Sequence, residues 1–377
     1  MALTGAMSAA ISGMKTQMQA LNVVGNNIAN VNTNGYKAQR ITFKESIYNT
    51  LSAGSAGTTT TGGTNPQQIG YGCSVGTIDL DMTTGDLDPT GRPMDCAIKG
   101  DGFFLVGDKT TTIDSMNSVK GLSLTRVGNF DFKDGYLVDG QGNVVYGFLT
   151  TTEDPANGTG TPGTLAADGE LNVSTALVPI RLPMRSTGSG NPGDADYVAP
   201  GDAVYVGVNG TNGQNVNPDA TGAATAGAVD GFIKYENMSI DANGKITCTN
   251  KETGDPVVVG YIALGTVDNP SGLLHTDGPY YTAGDAAGDI TLSTPNSTVT
   301  GNLNNGKIQN GQGTTDPSTA LAGGSGTGIL TSFLESSGTD LATEFSNMII
   351  YQRGYQANTR IISVTDSMLE ELVNIKR

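Results

Sequence analysis

One histidine, four closely spaced aspartates, three cysteines and a few glycine clusters are the groups in this chain whose type invites catalysis or metal binding. His275 lies in Leu273-Leu274-His275-Thr276-Asp277-Gly278-Pro279, a turn-like setting. A Ser-His-Asp relay would also need a serine on a strained, glycine-rich elbow, and the sequence holds none. Asp79, Asp81, Asp86 and Asp88 suggest calcium, but position six of such a loop is Thr84 and position twelve is Thr90, where an EF-hand needs Gly and Glu. Gly100-Asp101-Gly102 lacks the third glycine of a dinucleotide fingerprint. Cys73, Cys96 and Cys248 are an odd number at wide spacing, which fits neither a disulfide framework nor a zinc site; buried free thiols are expected. The expectation is therefore no enzyme, no metal and no cofactor.

Composition points the same way. The 54 glycines, the missing Trp and a 15% share of charged residues suit turn-rich β domains better than a metabolic α/β enzyme. The formal charge is −16, with −17 between residues 51 and 333, and such an acidic surface repels nucleic acid and anionic lipid. No apolar run reaches the ~20 residues of a membrane span, and the amphipathic start lacks the basic flank and continuous apolar core of a cleaved signal. The expectation is no nucleic acid, no membrane insertion, and either a cytoplasmic protein or export without a cleaved signal.

The chemistry left to the chain is hydrophobic, and it sits at the two ends. Leu334, Leu341, Met348, Tyr355, Ile362 and Leu369 fall seven apart, and Phe345, Tyr351, Leu372 and Val373 widen the stripe. Met7, Met14, Leu21 and Ile28 repeat the spacing near the start, beside a second row of Leu3, Ala10, Val24 and Val31 that Gln17 interrupts. Such repeats predict helices with a coiled-coil face over residues 1–32 and 329–377. Gln352, Asn358 and Thr359 are gaps in the C-terminal rows, which leaves packing onto the chain's own domain as the other reading. Pairing the two ends with each other is the simplest way to bury both stripes, with further copies of the chain covering the remainder. Helices with such gaps are marginal in water, so folding of the ends is expected to accompany assembly.

Helix one should stop in Asn26-Asn27-Ile28-Ala29-Asn30-Val31-Asn32-Thr33-Asn34-Gly35-Tyr36-Lys37, since Asn and Gly tolerate left-handed backbone. That run resembles the N-terminal signature of the flagellar rod and hook axial proteins, with Asn26, Asn27, Asn30, Asn32, Thr33, Gly35, Tyr36 and Lys37 carrying the likeness. Three further stretches resemble the same family in the same order: Gly91–Phe104 around Ala97-Ile98-Lys99-Gly100-Asp101-Gly102-Phe103-Phe104, then Thr125-Arg126-Val127-Gly128-Asn129-Phe130, then Asn347–Asn358 with Gln352, Arg353, Tyr355 and Asn358. The resemblance implies a non-catalytic subunit of a bacterial axial tube, a homopolymer exported by the flagellar apparatus and located outside the cell. By resemblance its other partners are the rod, the hook cap, the hook-filament junction proteins and the export machinery.

Between the ends the sequence reads as nested β structure. Residues 33–70 form an extended connector, which the resemblance would order against neighbouring subunits. Residues 71–148 and 231–328 build one β-rich middle domain, with Asp134-Gly135, Asp139-Gly140 and Asn243-Gly244 as hairpin turns and Val257–Leu264 as a buried run. Residues 149–230 read as an inserted outer β domain, with strands at Ile180-Arg181-Leu182 and Tyr205-Val206-Gly207-Val208 and an edge position imposed on the first by Pro179 and Pro183. The fold class expected is α+β, mainly β, with two nested β-rich domains and terminal helices pairing as a coiled-coil inner domain. Within the family, the added stretch 149–230 favours a place in the hook over one in the distal rod.

Overall fold

A computed structural model describes residues 2–57, 59, 62–109, 119–151, 172–173, 177–186, 203–204, 229–252, 254, 256–295 and 327–375. The described residues are mainly strands with one long helix at each end, and they divide into two units, residues 1–83 with 337–377 and residues 84–336.

In the first unit α1 spans Ala2–Ala29 and α2 spans Leu341–Ile375. Between them β1 (Gln39–Glu45) pairs antiparallel with β4 (Cys73–Leu80), and β2 (Tyr48–Ser52) with β3 (Gln67–Gly70). Much of the stretch expected as an extended connector is thus a strand pair and a hairpin. α1 lies against β1, β4 and α2. Gly72, at φ 111°, is what lets the chain turn into β4 against the helix, because a Cβ there would fall 1.9 Å from Ser12 Oγ. α2 begins at Leu341 because Asp340 caps it: its carboxylate accepts the Ala342 N–H at 2.9 Å, and its C=O accepts the Glu344 N–H. Leu334 therefore lies outside the helix, in a short strand.

The second unit runs β5 (Leu87–Pro89), β6 (Cys96–Lys99), β7 (Phe103–Gly107), β8 (Ser123–Thr125), β9 (Asp131–Lys133), β10 (Tyr136–Val138) and β11 (Val144–Thr151). Then come β12 (Asn172–Val173), β13 (Val178–Pro179), β14 (Met184–Ser186), β15 (Ala203–Val204) and β16 (Val229–Phe232). It closes with β17 (Tyr235–Ile240), β18 (Lys245–Asn250), β19 (Pro256–Ile262), β20 (Leu264–Val267), β21 (Leu273–His275), β22 (Tyr280–Ala283), β23 (Ile290–Ser293), β24 (Gly328–Thr331) and β25 (Phe333–Glu335). The main sheet is ordered β17-β18-β19-β11-β7-β8-β22-β21, all antiparallel along that path. Asp134 at φ 51° and Gly135 at φ 79° make the tight turn between β9 and β10, and Gly244 at φ 72° closes the one between β17 and β18. β19 is buried from Val257 to Ile262, and its side chains join Ile98, Phe104, Val106, Phe130, Leu137 and Val145 in one core.

Ile180 and Leu182 belong to that core. Ile180 donates its N–H to Val145 and accepts from Leu137, so the segment is bonded on two sides where its prolines suggested an edge. Pro179 and Pro183 flank the bonded residue and leave its N–H intact. β14, β15 and β16 form a separate small sheet. Tyr205–Val208 and most of 149–230 and 301–328 fall outside the described residues.

The chain enters and leaves the second unit side by side. β25 pairs with β5, the Ser336 N–H reaches Asp86 O at 2.8 Å, and Ser336 Oγ bonds the Asp88 carboxylate. Glu335 accepts the Gly85 N–H at 2.9 Å on one oxygen and lies 3.5 Å from the Arg126 guanidinium on the other, both side chains 1% exposed. Arg126 also donates to Gly100 O at 2.9 Å and stacks on Phe103. Burial lowers the Arg126 pKa and the Glu335 carboxylate opposes that shift.

Candidate assembly surface

Two faces of the first unit have the character of an assembly element: one joins α1 to α2, and the other is left uncovered among the described residues. On α1 the buried line is Ala10, Gly13, Ala20, Val23, Val24 and Asn27. Met7, Met14, Leu21 and Ile28 flank it, half-buried. The line at the contact is thus the row that Gln17 interrupted, because small residues there let the helices approach closely. On α2, Met348, Tyr355 and Ile362 are half-buried, while Leu341 and Leu369 are exposed. Leu334 is half-buried beside Asp88 in β25.

The asparagine-rich stretch locks the far end of this pair. Asn27 is fully buried and uses its whole amide: Nδ2 donates to Gln39 O at 2.8 Å and to Glu344 Oε1 at 2.9 Å, and Oδ1 accepts from the Gln39 N–H and the Tyr36 hydroxyl. Asn26 donates to the Tyr36 hydroxyl, Asn30 returns to Asn26, and Thr33 bonds Asn30. Asn32 is exposed, and Gly35 takes φ 68° to turn the chain. Lys37, buried beside this turn, donates to Thr83 O at 2.8 Å. The Tyr36 phenol is pushed up to about 12, by burial first and by the Glu344 carboxylate second, so it stays a neutral donor. Of the C-terminal motif residues, Gln352 and Arg353 face outward, Tyr355 is half-buried, and Asn358 sits against Gly13.

Asn27→Ala would strand the Gln39 N–H and the Tyr36 hydroxyl in a buried site. We expect a loss of about 2–6 kcal/mol in docking of the first unit, at roughly 1–3 kcal/mol for each of the two orphaned groups. Amide exchange along α1 in the full chain measures it; unchanged protection would count against the network.

The second face is on α2 alone. Ile350, Ala357, Ile361, Val364, Met368, Leu372 and Ile375 recur at helical spacing, and all are exposed, from 44% at Ile361 to 81% at Ile375 among the large side chains. Elsewhere in the unit Leu51 and Ile69 of the β2–β3 hairpin, and Ile47 just before it, are also exposed. The stripe was legible in the sequence as steps of seven, four and three, but the strict heptad row hid it. A contiguous apolar face of this length is unusual on a solitary soluble protein and marks an interaction surface. Among the described residues no cluster of His, Cys, Asp or Glu could hold a metal ion, and no helix is long and apolar enough to cross a membrane. Cys96 and Cys248 are buried and Cys73 half-buried, all as free thiols.

Comparisons with known proteins place both ends in one group. Residues 7–37 match the family described as flagella basal body rod protein, and residues 330–375 match flagellar basal body rod FlgEFG protein C-terminal. The flagellar basal-body rod protein FlgG of Bacillus subtilis is 31% identical over 369 aligned positions, covering 97% of each chain. The flagellar hook protein FlgE of Borreliella burgdorferi is 27% identical over 487 positions, covering 97% of this chain and 98% of that one. FlgE of Salmonella typhimurium is 27% identical over 434 positions, covering 98% and 99%.

Proposed function

Because the chain belongs to the flagellar rod and hook axial protein family, we propose that it is a structural subunit that polymerises into the bacterial flagellar hook, the flexible tube between rod and filament. Hook proteins of several bacteria align along its whole length, and the family is a structural one, not known for enzymes. The observation that carries the reading is the bare apolar stripe on α2, on a chain whose other helix face is already satisfied. Burying a fully exposed Leu, Ile or Met contributes roughly 1.5–3 kcal/mol, so stacking this face against copies of itself is strongly favourable. In this reading the paired terminal helices form the coiled-coil inner domain of the tube. The β-rich units stack outward as a middle domain and an inserted outer domain. Export proceeds through the flagellar apparatus without a cleaved signal, and the rod, cap and junction proteins are the end partners.

One observation favours the distal rod as a second reading. The hook alignments run to 434 and 487 positions against a chain of 377 residues, so those hook proteins carry residues this chain lacks. The rod alignment, at 369, needs no such allowance. Electron microscopy of detached basal bodies, with antibody raised to this chain, separates the two. Label on the curved segment outside the cell envelope supports the hook, label confined to the straight rod supports the alternative, and label on neither removes both.

A further inference from the structure

We infer that two of the polar gaps in the apolar rows, Gln17 and Asn358, are a register code for closing the chain's ends on each other. Gly13 of α1 lies under Asn358 of α2, where an added Cβ would fall 2.8 Å from Nδ2. Gly354 of α2 lies under Gln17 of α1, with a Cβ falling 3.0 Å from Cδ. The pairs are reciprocal: each helix offers one glycine and one amide, four residues apart. Ten residues on from Gln17 stands Asn27, and ten back from Gly354 stands Glu344, which it bonds at 2.9 Å. Three pairs thus obey one antiparallel alignment.

Apolar rows with a seven-residue repeat do not choose between alignments one repeat apart, because every slip again places apolar on apolar. The gaps do choose. A slip of seven would set Gln17 level with Ile361 or with Asn347, and Asn358 level with Ala20 or Ala6. It would also separate Asn27 from Glu344. Gln17 and Asn358 would lose the glycines that make room for them, and their amides would be forced against bulkier groups. The selectivity comes at a cost in stability, since Gln17 Oε1 is buried with no hydrogen-bond partner among the described residues. The code concerns how one chain pairs its own ends, and it holds whether the assembled object is hook or rod.

Double electron–electron resonance on the full chain in dilute solution tests this. Spin labels replace Met18 and Arg353, both exposed and level in the observed alignment, in a Cys73→Ser background. The parent should give one narrow distance. Gln17→Ala with Asn358→Ala should give a second population, offset along the axis by about 10 Å, one seven-residue slip at 1.5 Å per residue. Leu21→Ala, which removes apolar contact without touching the code, should keep the single distance. A single unshifted distance in the double variant overturns the inference. So do helices that undock instead of slipping, or equal broadening in Leu21→Ala.

Discussion

Glu335→Ala is expected to destabilise the β-rich unit by about 3–5 kcal/mol, the usual cost of removing one partner from a buried ion pair. The reason is specific. The Arg126 guanidinium would remain 1% exposed without its counter-charge, and the Gly85 N–H would lose its acceptor. Arginine cannot escape by deprotonating near neutral pH, even with its pKa lowered by burial. Glu335→Gln, which can still accept from Gly85, should cost less. Urea unfolding followed by tyrosine emission reads both, since the chain has 13 Tyr and no Trp. A loss under about 1 kcal/mol in Glu335→Ala would mean that water reaches the pair in solution.

The second large effect is on assembly, not on folding. Val364→Asp and Met368→Asp place a carboxylate in the middle of the bare α2 stripe, at sites that are 53% and 49% exposed in the single chain. The isolated molecule should keep its helical circular dichroism, because the substituted groups still face water. Polymer should vanish, because every contact between copies would bury an unpaired charge at a cost of several kcal/mol. Ser363→Asp, exposed and about 140° around the same helix from the stripe, serves as control. Tubes at parental yield from either stripe variant would remove α2's outer face from the assembly surface.

How much of this was readable beforehand depended on whether the signal was local. The two terminal helices, the stop in the asparagine run, the turns at Asp134-Gly135 and Asn243-Gly244 and the buried run of β19 all follow from spacing and backbone preference over a few residues. The helix start was misplaced by about a dozen residues, because Leu334 continues the apolar row while lying in a strand. The cap at Asp340 was the better signal. The buried line of α1 was set by small residues, which periodicity ranks below Met and Leu although close packing ranks them above. Ala10, Gly13, Ala20 and Gly354 allow a close approach, and Asn27 bonds α1 to both Gln39 and Glu344 within a single chain. Nothing in the sequence announced that Arg126 would meet Glu335, more than two hundred residues away. Nor did it announce that Ile180, between two prolines, would be bonded on both sides.

The way β5 and β25 run together has an evolutionary reading. A polypeptide module whose entry and exit points are hydrogen-bonded neighbours can be enlarged, shortened or swapped without displacing whatever lies beyond them, since the gap to be bridged stays constant. The hook alignments need 434 and 487 positions against a chain of 377 residues, yet they cover 97% or more of it, so the added residues sit in insertions. Lineages of this family should therefore differ most in bulk within such a cassette, and a foreign domain with closely spaced termini grafted between Gly85 and Ser336 should leave the end helices free to pair.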